Sequence, residues 1–375
     1  MSSVDQSWAG GPAAGAATVV IGGVLGLLLC RAVAAWFRAT DDEPPGPRTP
    51  MVIALVGAIA VGLLWWWEIV YAGLMPAGLQ ADVMPLAQSG FAARYLAHVV
   101  LFWFLAAATW IDLRQRVIPD WITVPGAIMG LAYAWVWPRS LLPVVLEVPR
   151  SFAAPSIQAD VLAWYGGLGV GAGLWSAAPH VAGLALAAAI FCAWWVVCTE
   201  ASLADGPVPW LSPRRVILAL GLAAIAAAWC IGTSRFDALQ SALVGLGVSG
   251  GLVWAMRAGA SHALGKEAMG LGDVTLMAMV GAWLGWQACV LTFFMAAFIG
   301  LGHGLTQFVR HRENELPFGP SLCLAAAIVV VAWRPIWQVA GVHFEAPGQL
   351  ILVVAAVVAL TAITLFLWRS LRGVA

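Results

Sequence analysis

Apolar residues run along this chain in long blocks broken by short polar connections. The blocks are Ala17–Phe37, Met51–Met75, Ala92–Ile111, Trp121–Trp137, Val181–Ala201, Val216–Thr233, Ala238–Met256, Ala268–Trp286, Gln287–Val309, Phe318–Trp333 and Gln349–Trp368. Since roughly twenty apolar residues cross a hydrocarbon core as a helix, the pattern predicts an all-α, polytopic transmembrane protein of about ten to eleven spans. Trp121–Trp137 and Phe318–Trp333 are the short members of the set. Three polar or Pro-rich stretches read as connections: Thr40–Pro50, the long Arg139–His180, and Leu203–Pro213.

Composition agrees with that picture and sharpens it. Of the 375 residues 62% are hydrophobic and 10% charged, with a mean hydropathy of +0.91, which excludes a soluble globular domain. Tryptophans near block ends, such as Trp36, Trp110 and Trp137, suit an interfacial belt. Orientation follows from the arginines and lysines. An outer N-terminus leaves Arg38, Arg48, Arg114, Arg116, Arg214, Arg215, Arg257, Lys266, Arg310, Arg312, Arg369 and Arg372 on the inner side. Arg94, Arg139, Arg150, Arg235 and Arg334 then fall outside, and the excess favours N-out, C-in. The first residues, MSSVDQSWAGGPAAGAA, lack the basic region of a removable signal peptide. The six cysteines lie inside apolar blocks and form no C-x-x-C pair, so they read as small buried hydrophobes.

Chemistry enters with one carboxylate in a greasy setting. Asp273 follows Gly270 and Gly272 at the start of the block Ala268–Trp286. A carboxylate in such a block costs about 2.5–3.5 kcal/mol at mid-membrane unless it faces a polar cleft. The two glycines accept positive φ and let another chain approach, and Gly281-x-x-x-Gly285 offers a small-residue face for helix packing. The bland alternative is an Asp that caps a helix end. A second carboxylate changes the balance: in WIDLRQRVIPDWIT, Asp112 closes the third block and Pro119-Asp120 opens the fourth. The charge count puts this hairpin and the approach to Asp273 on the same inner side. Two carboxylates brought together there share a proton, so that one activates water while the other protonates a departing amide, without metal, cofactor or covalent intermediate. Asp112 alone reads as a solvated helix end beside Arg114 and Arg116, and Asp120 reads as the cap of the fourth helix. His98, His262 and His303 are scattered, and no H-E-x-x-H, G-x-S-x-G or Walker A pattern occurs.

The stretches D-L-R-x-R-x-I-P-D at Asp112–Asp120 and M-G-x-G-D-x-x-L at Met269–Leu276 resemble the bacterial type IV prepilin peptidases, the GxGD aspartic membrane proteases. The segment Pro317, Phe318, Gly319 and Pro320 resembles that family's P-F-G-P run. The resemblance implies Asp112 and Asp273 as the catalytic pair, with Gly270, Gly272 and Pro317–Pro320 shaping the site. It further implies leader cleavage of a prepilin or pseudopilin helix, after a glycine, at the cytosolic face of the bacterial inner membrane. Neither a metal nor another cofactor is implied, and no nucleic acid; oligomeric state is not given.

Two departures stand out. The chain lacks the C-x-x-C motifs that many such enzymes carry in an N-terminal region linked to methyl transfer, so the resemblance supports peptidase rather than methyltransferase chemistry. The separation of Asp112 from Asp273 is also longer than usual. The expected organisation is therefore an N-terminal transmembrane region at 1–90, a peptidase region at 91–335 with an inserted stretch at about 139–256, and a C-terminal transmembrane helix at 336–375. Rival readings are a proton- or cation-coupled transporter built on the same carboxylates, and an inactive assembly protein of the same fold.

Overall fold

The computed structural model describes residues 12–74, 91–138, 140–142, 181–203, 213–231, 233–311, 318–344, 352–361 and 363–364. These residues build helices and no strands. In chain order they are α1 (Pro12–Ala39), α2 (Thr49–Trp65, prolonged by a π-helical turn at Trp66–Val70), α3 (Phe91–Gln115), α4 (Asp120–Val136), α5 (Val181–Leu203) and α6 (Pro213–Ile231). They continue with α7 (Thr233–Leu264), α8 (Leu271–Leu284), α9 (Trp286–His311), α10 (Gly319–Val331) and α11 (Trp333–Phe344), and with α12 (Leu352–Thr361).

The chain is a multi-pass membrane protein. Among the described residues five helices are long and apolar enough to cross a bilayer, or six if the bent pair α10–α11 forms one span. Four shorter apolar helices, Gly183–Thr199, Leu271–Leu284, Trp286–Gly302 and Leu352–Thr361, stand beside them among the described residues. The block Ala268–Trp286 forms a 14-residue helix ended by Gly285 at φ 82. At 1.5 Å per residue α8 is about 21 Å long, short of a bilayer core. The block Phe318–Trp333 gives 13-residue α10, and the chain turns by 88° into α11. The N-terminal residues 1–11 and most of Arg139–His180, including residues 143–180, lie outside the described set.

Helix α8 is the centre of the molecule. All residues from Asp273 to Leu284 are buried, as expected for a helix that is apolar all round. Packing in a membrane relies on close contact and hydrogen bonds rather than on expulsion of water, and the α7–α8 seam shows both. Gly245 of α7 lies against the carbonyl of Gly281, and a side chain on either glycine would strike the other helix. Ser249 donates across the seam to the Met277 carbonyl at 2.8 Å. On the other flank, Trp283 Nε1 donates to the Gly126 carbonyl of α4 at 2.9 Å. The expected Gly281–Gly285 face is thus the contact with α7: Gly245 also approaches Gly285.

Helices α1 and α2 form a hairpin beside α3, sealed by the same device. Gly22 and Gly26 of α1 lie against the backbone of Gly57 and of Ile53–Ala54 in α2. A buried pair joins this hairpin to α3, with His98 Nδ1 2.7 Å from Glu68 Oε1 and Arg94 buried nearby. Glu68 lies inside an apolar block, where an ionisable group calls for a named partner. The structure supplies His98, a residue that reads as isolated in the sequence.

Candidate active site

Asp112 stands in the last turn of α3. The helix ends there because Arg116 adopts φ 55 and returns its N–H to the Asp112 carbonyl at 2.9 Å, a left-handed termination. Val117 and Ile118 carry the chain to Pro119, whose φ of −78° and ψ of 144° are extended, and α4 begins at Asp120. Asp120 is the first helical residue rather than the cap. Pro119 occupies the cap position and no side chain caps the helix, because the preceding proline has taken that place. Asp120 is exposed in a first turn, where a negative charge complements the helix dipole.

Asp273 stands in the first turn of α8 and is 8% exposed; Asp112 is 5% exposed. The connection before α8 is held by α7. Arg257 donates to the Met269 carbonyl at 3.0 Å and pairs with Glu267 at 2.7 Å, while Ser261 Oγ accepts the Ala268 N–H at 3.0 Å. Helix α7 crosses the end of the 139–256 stretch and so bears directly on the site.

The two glycines before Asp273 differ in role. Neither has positive φ; among the described glycines that conformation occurs at Gly265 and Gly285. Gly270 sits at φ −67° with no atom closer than 3.9 Å to the place of a side chain. Gly272 instead lies against Ile118, where an added Cβ would sit 3.0 Å from its Cβ and 3.1 Å from its carbonyl oxygen. Close approach therefore applies to Gly272 alone, and it seats the α3–α4 connection on the start of α8.

This seating brings Asp112 and Asp273 within electrostatic range of each other, across the whole of residues 113–272. The start of α10 completes the enclosure. Phe318 precedes the helix, Gly319 and Pro320 open it, and Pro at this position leaves no amide unsatisfied. The Gly319 backbone amide lies against the Asp112 carboxylate, while Oδ2 is buried without a well-formed hydrogen bond. Gly319 has no room for a side chain, since a Cβ would strike Asp112 Oδ2 and come within 2.8 Å of Ile118 Cδ1. Both carboxylates thus sit at helix N-termini, Asp273 on its own helix and Asp112 facing that of α10, where free amides favour negative charge. Pro317 lies outside the described residues.

Two neighbours, buried Cys323 and half-buried Thr109, were not singled out from the sequence. Cys323 of α10 senses both carboxylates and contacts Thr109 of α3. Thr109 is three residues before Asp112, the spacing that places two residues on one helix face, so it was open to discovery. Cys323, four residues after Gly319, was open to the same argument. Glu68 and His98 do not belong here: His98 precedes Asp112 by four turns of α3, about 20 Å at 5.4 Å per turn. His303 lies in α9, and Lys266 is exposed in the α7–α8 connection. Among the described residues no group of three or more His, Cys, Asp or Glu is arranged to hold a metal ion. On the far side of α8, Val274, Thr275 and Ala278 line an apolar cavity of about 1000 Å³ with Gly247, Gly250 and Gly251 of α7.

The fold and site define a multi-pass helical membrane protein with a buried pair of aspartates at one end of its helices. Residues 189–305 match the model of the type IV leader peptidase family. The chain is 38% identical over 98 residues to a prepilin leader peptidase/N-methyltransferase of Aeromonas hydrophila, covering 25% of this chain and 32% of that one. It is 34% identical over 133 residues to a protein of the same name from Pseudomonas aeruginosa, covering 35% and 44%. It is 36% identical over 109 residues to leader peptidase HopD of Salmonella typhimurium, covering 28% and 66%. Over residues 189–305 the chain is similar to the type IV leader peptidase family. It spans about a third of the length of the Aeromonas relative. No solved structure matches it. The family match includes Asp273 and begins after Asp112.

Proposed function

We propose that this protein is an aspartic endopeptidase of the bacterial inner membrane that removes the leader of a prepilin or pseudopilin at the cytosolic face. The observation that carries the reading is the meeting of Asp112 and Asp273 in one buried site at helix N-termini. A single proton held between two such carboxylates gives both partners needed for peptide hydrolysis. The ionised one takes a proton from water as the water oxygen attacks the scissile carbonyl. The protonated one delivers its proton to the amide nitrogen as the C–N bond breaks. Gly319 and Gly272 supply the close backbone approach that holds the pair.

The substrate is inferred to be a single apolar helix with a short leader, cleaved after a glycine. The names of the relatives support that class, although they describe those proteins. The absence of C-x-x-C pairs supports cleavage without methyl transfer. The test is incubation of the purified protein with a model prepilin, followed by mass determination of the products. Release of the leader by the wild type, and its loss in Asp112→Asn and in Asp273→Asn, is expected. Leader release by either variant at the wild-type rate would remove the two-aspartate mechanism.

A further inference from the structure

The last turn of α3, which carries Asp112, is gripped by a part of the chain far from the family match. Trp36 Nε1 of α1 donates to Gln115 Oε1 at 2.7 Å. The Gln115 amide nitrogen donates to Thr40 Oγ1 at 2.8 Å and to Asp42 Oδ2 at 3.2 Å. Next to it, Arg114 donates to the Glu43 carbonyl at 2.9 Å, lies 3.7 Å from Asp42, and stacks over the buried Phe37 ring at 4.6 Å. Trp36 also meets Trp121, in the first turn of α4, at 6.0 Å between ring centroids.

The connection from α1 to α2 is folded onto this turn rather than left loose. Asp41 takes φ 55, which returns the Asp42 N–H to the Phe37 carbonyl at 2.8 Å and aims Asp42 at Gln115. Helix ends fray unless their last turn is tied down. Within α3 this end has the single left-handed bond from Arg116, so its further restraint comes from side chains. Gln115 uses its carbonyl on Trp36 of α1 and its amide nitrogen on Thr40 and Asp42 of the connection.

We propose that Trp36–Glu43 is a brace that sets the position of Asp112, and that Gln115 is the positioning residue through which it acts. This rests on the reading of Asp112 as a catalytic carboxylate. A displacement of about 1 Å at a reacting group costs up to about 100-fold in rate, so an untied end of α3 lowers turnover without weakening substrate binding. The brace also gives the N-terminal hairpin, which lies outside residues 189–305, a task in catalysis.

The experiment compares cleavage by the full chain carrying Gln115→Glu, alone and together with Asp42→Asn. The single change keeps the acceptor for Trp36 and sets two carboxylates against each other. The second change restores a donor–acceptor pair in the opposite sense. Expected is a fall in kcat of about 10-fold or more for Gln115→Glu with KM within about twofold, and recovery of most of that loss in the double variant. A loss borne by KM, a wild-type kcat in the single variant, or no recovery in the double would overturn the proposal. The alkylation rate of Cys323, read by mass spectrometry, follows the same turn without requiring cleavage: it rises in the single variant and returns in the double. If the wild type cleaves no prepilin but Cys323 responds in this way, the brace stands and the catalytic reading falls. An unchanged Cys323 rate removes the brace.

Discussion

Gly319 lies so close to Asp112 that a single methyl group on it would strike the carboxylate Oδ2. The contact ties the opening of α10 to the end of α3, and Phe318 also packs near Gly300 of α9. Gly319→Ala therefore displaces either the carboxylate or the helix. Cleavage is expected to fall by about 10- to 100-fold, as for a misplaced reacting group, while thermal unfolding in detergent shifts by only a few degrees. Wild-type rates would show that the Asp112 carboxylate has room to move.

The two glycines before Asp273 should part company under the same substitution. Gly272→Ala places a Cβ 3.0 Å from that of Ile118 and tight against its backbone. Overpacking of this kind costs about 1–3 kcal/mol and separates the α3–α4 connection from α8. Gly270→Ala meets nothing closer than 3.9 Å, and its backbone is in a region open to any residue. Parallel thermal melts and cleavage rates should show a damaged Gly272 variant beside a nearly normal Gly270 variant. Equal damage would count against the role given to Ile118.

Arg257 gives a third prediction. Its guanidinium holds the connection leading to Asp273 through the Met269 carbonyl and Glu267. Arg257→Ala should lower cleavage several-fold, and Glu267→Gln should cost little, because an exposed ion pair contributes about 0–1 kcal/mol. If both changes have equal effect, the salt bridge rather than the backbone hydrogen bond does the holding.

At the α7–α8 seam, Gly281 faces the Gly245 carbonyl and Ser249 with no room for a side chain. Gly281→Val should prevent close packing and lower the midpoint of thermal unfolding. Ser249→Ala should do less, since it removes a hydrogen bond worth about 1 kcal/mol net. A Gly281 variant as stable as the wild type would place the seam's stability elsewhere.

How much of this was legible beforehand depends on the kind of information needed. The helical class followed from block length, because a bilayer leaves the backbone few other solutions. Asp112 and Asp273 could be named from local patterns, and Gly319 from the resemblance of its P-F-G-P run. What joins them is a contact between Ile118 and Gly272, which is a matter of tertiary packing and leaves no periodic trace. The break at Gly285, at φ 82, falls one residue before the end of the block Ala268–Trp286, so the block boundary located it without showing its cause. Of the stretch Thr40–Pro50, read as irregular, residues 40–48 are irregular, while Thr49 and Pro50 open α2, where a first-turn proline is tolerated. Its attachment to Gln115 depends on partners far along the chain, so composition alone gave it no role.

Asp112 is proposed as the first carboxylate of the pair, although the family match covers residues 189–305. That matched range contains two other aspartates besides Asp273, namely Asp205 and Asp237. The most direct test is leader cleavage by four single Asp→Asn variants at positions 112, 205, 237 and 273, each checked for folding by its thermal melt. The Asp112 and Asp273 variants are expected to be inactive, and the other two to cleave. An active Asp112 variant beside an inactive Asp205 or Asp237 variant would contradict it.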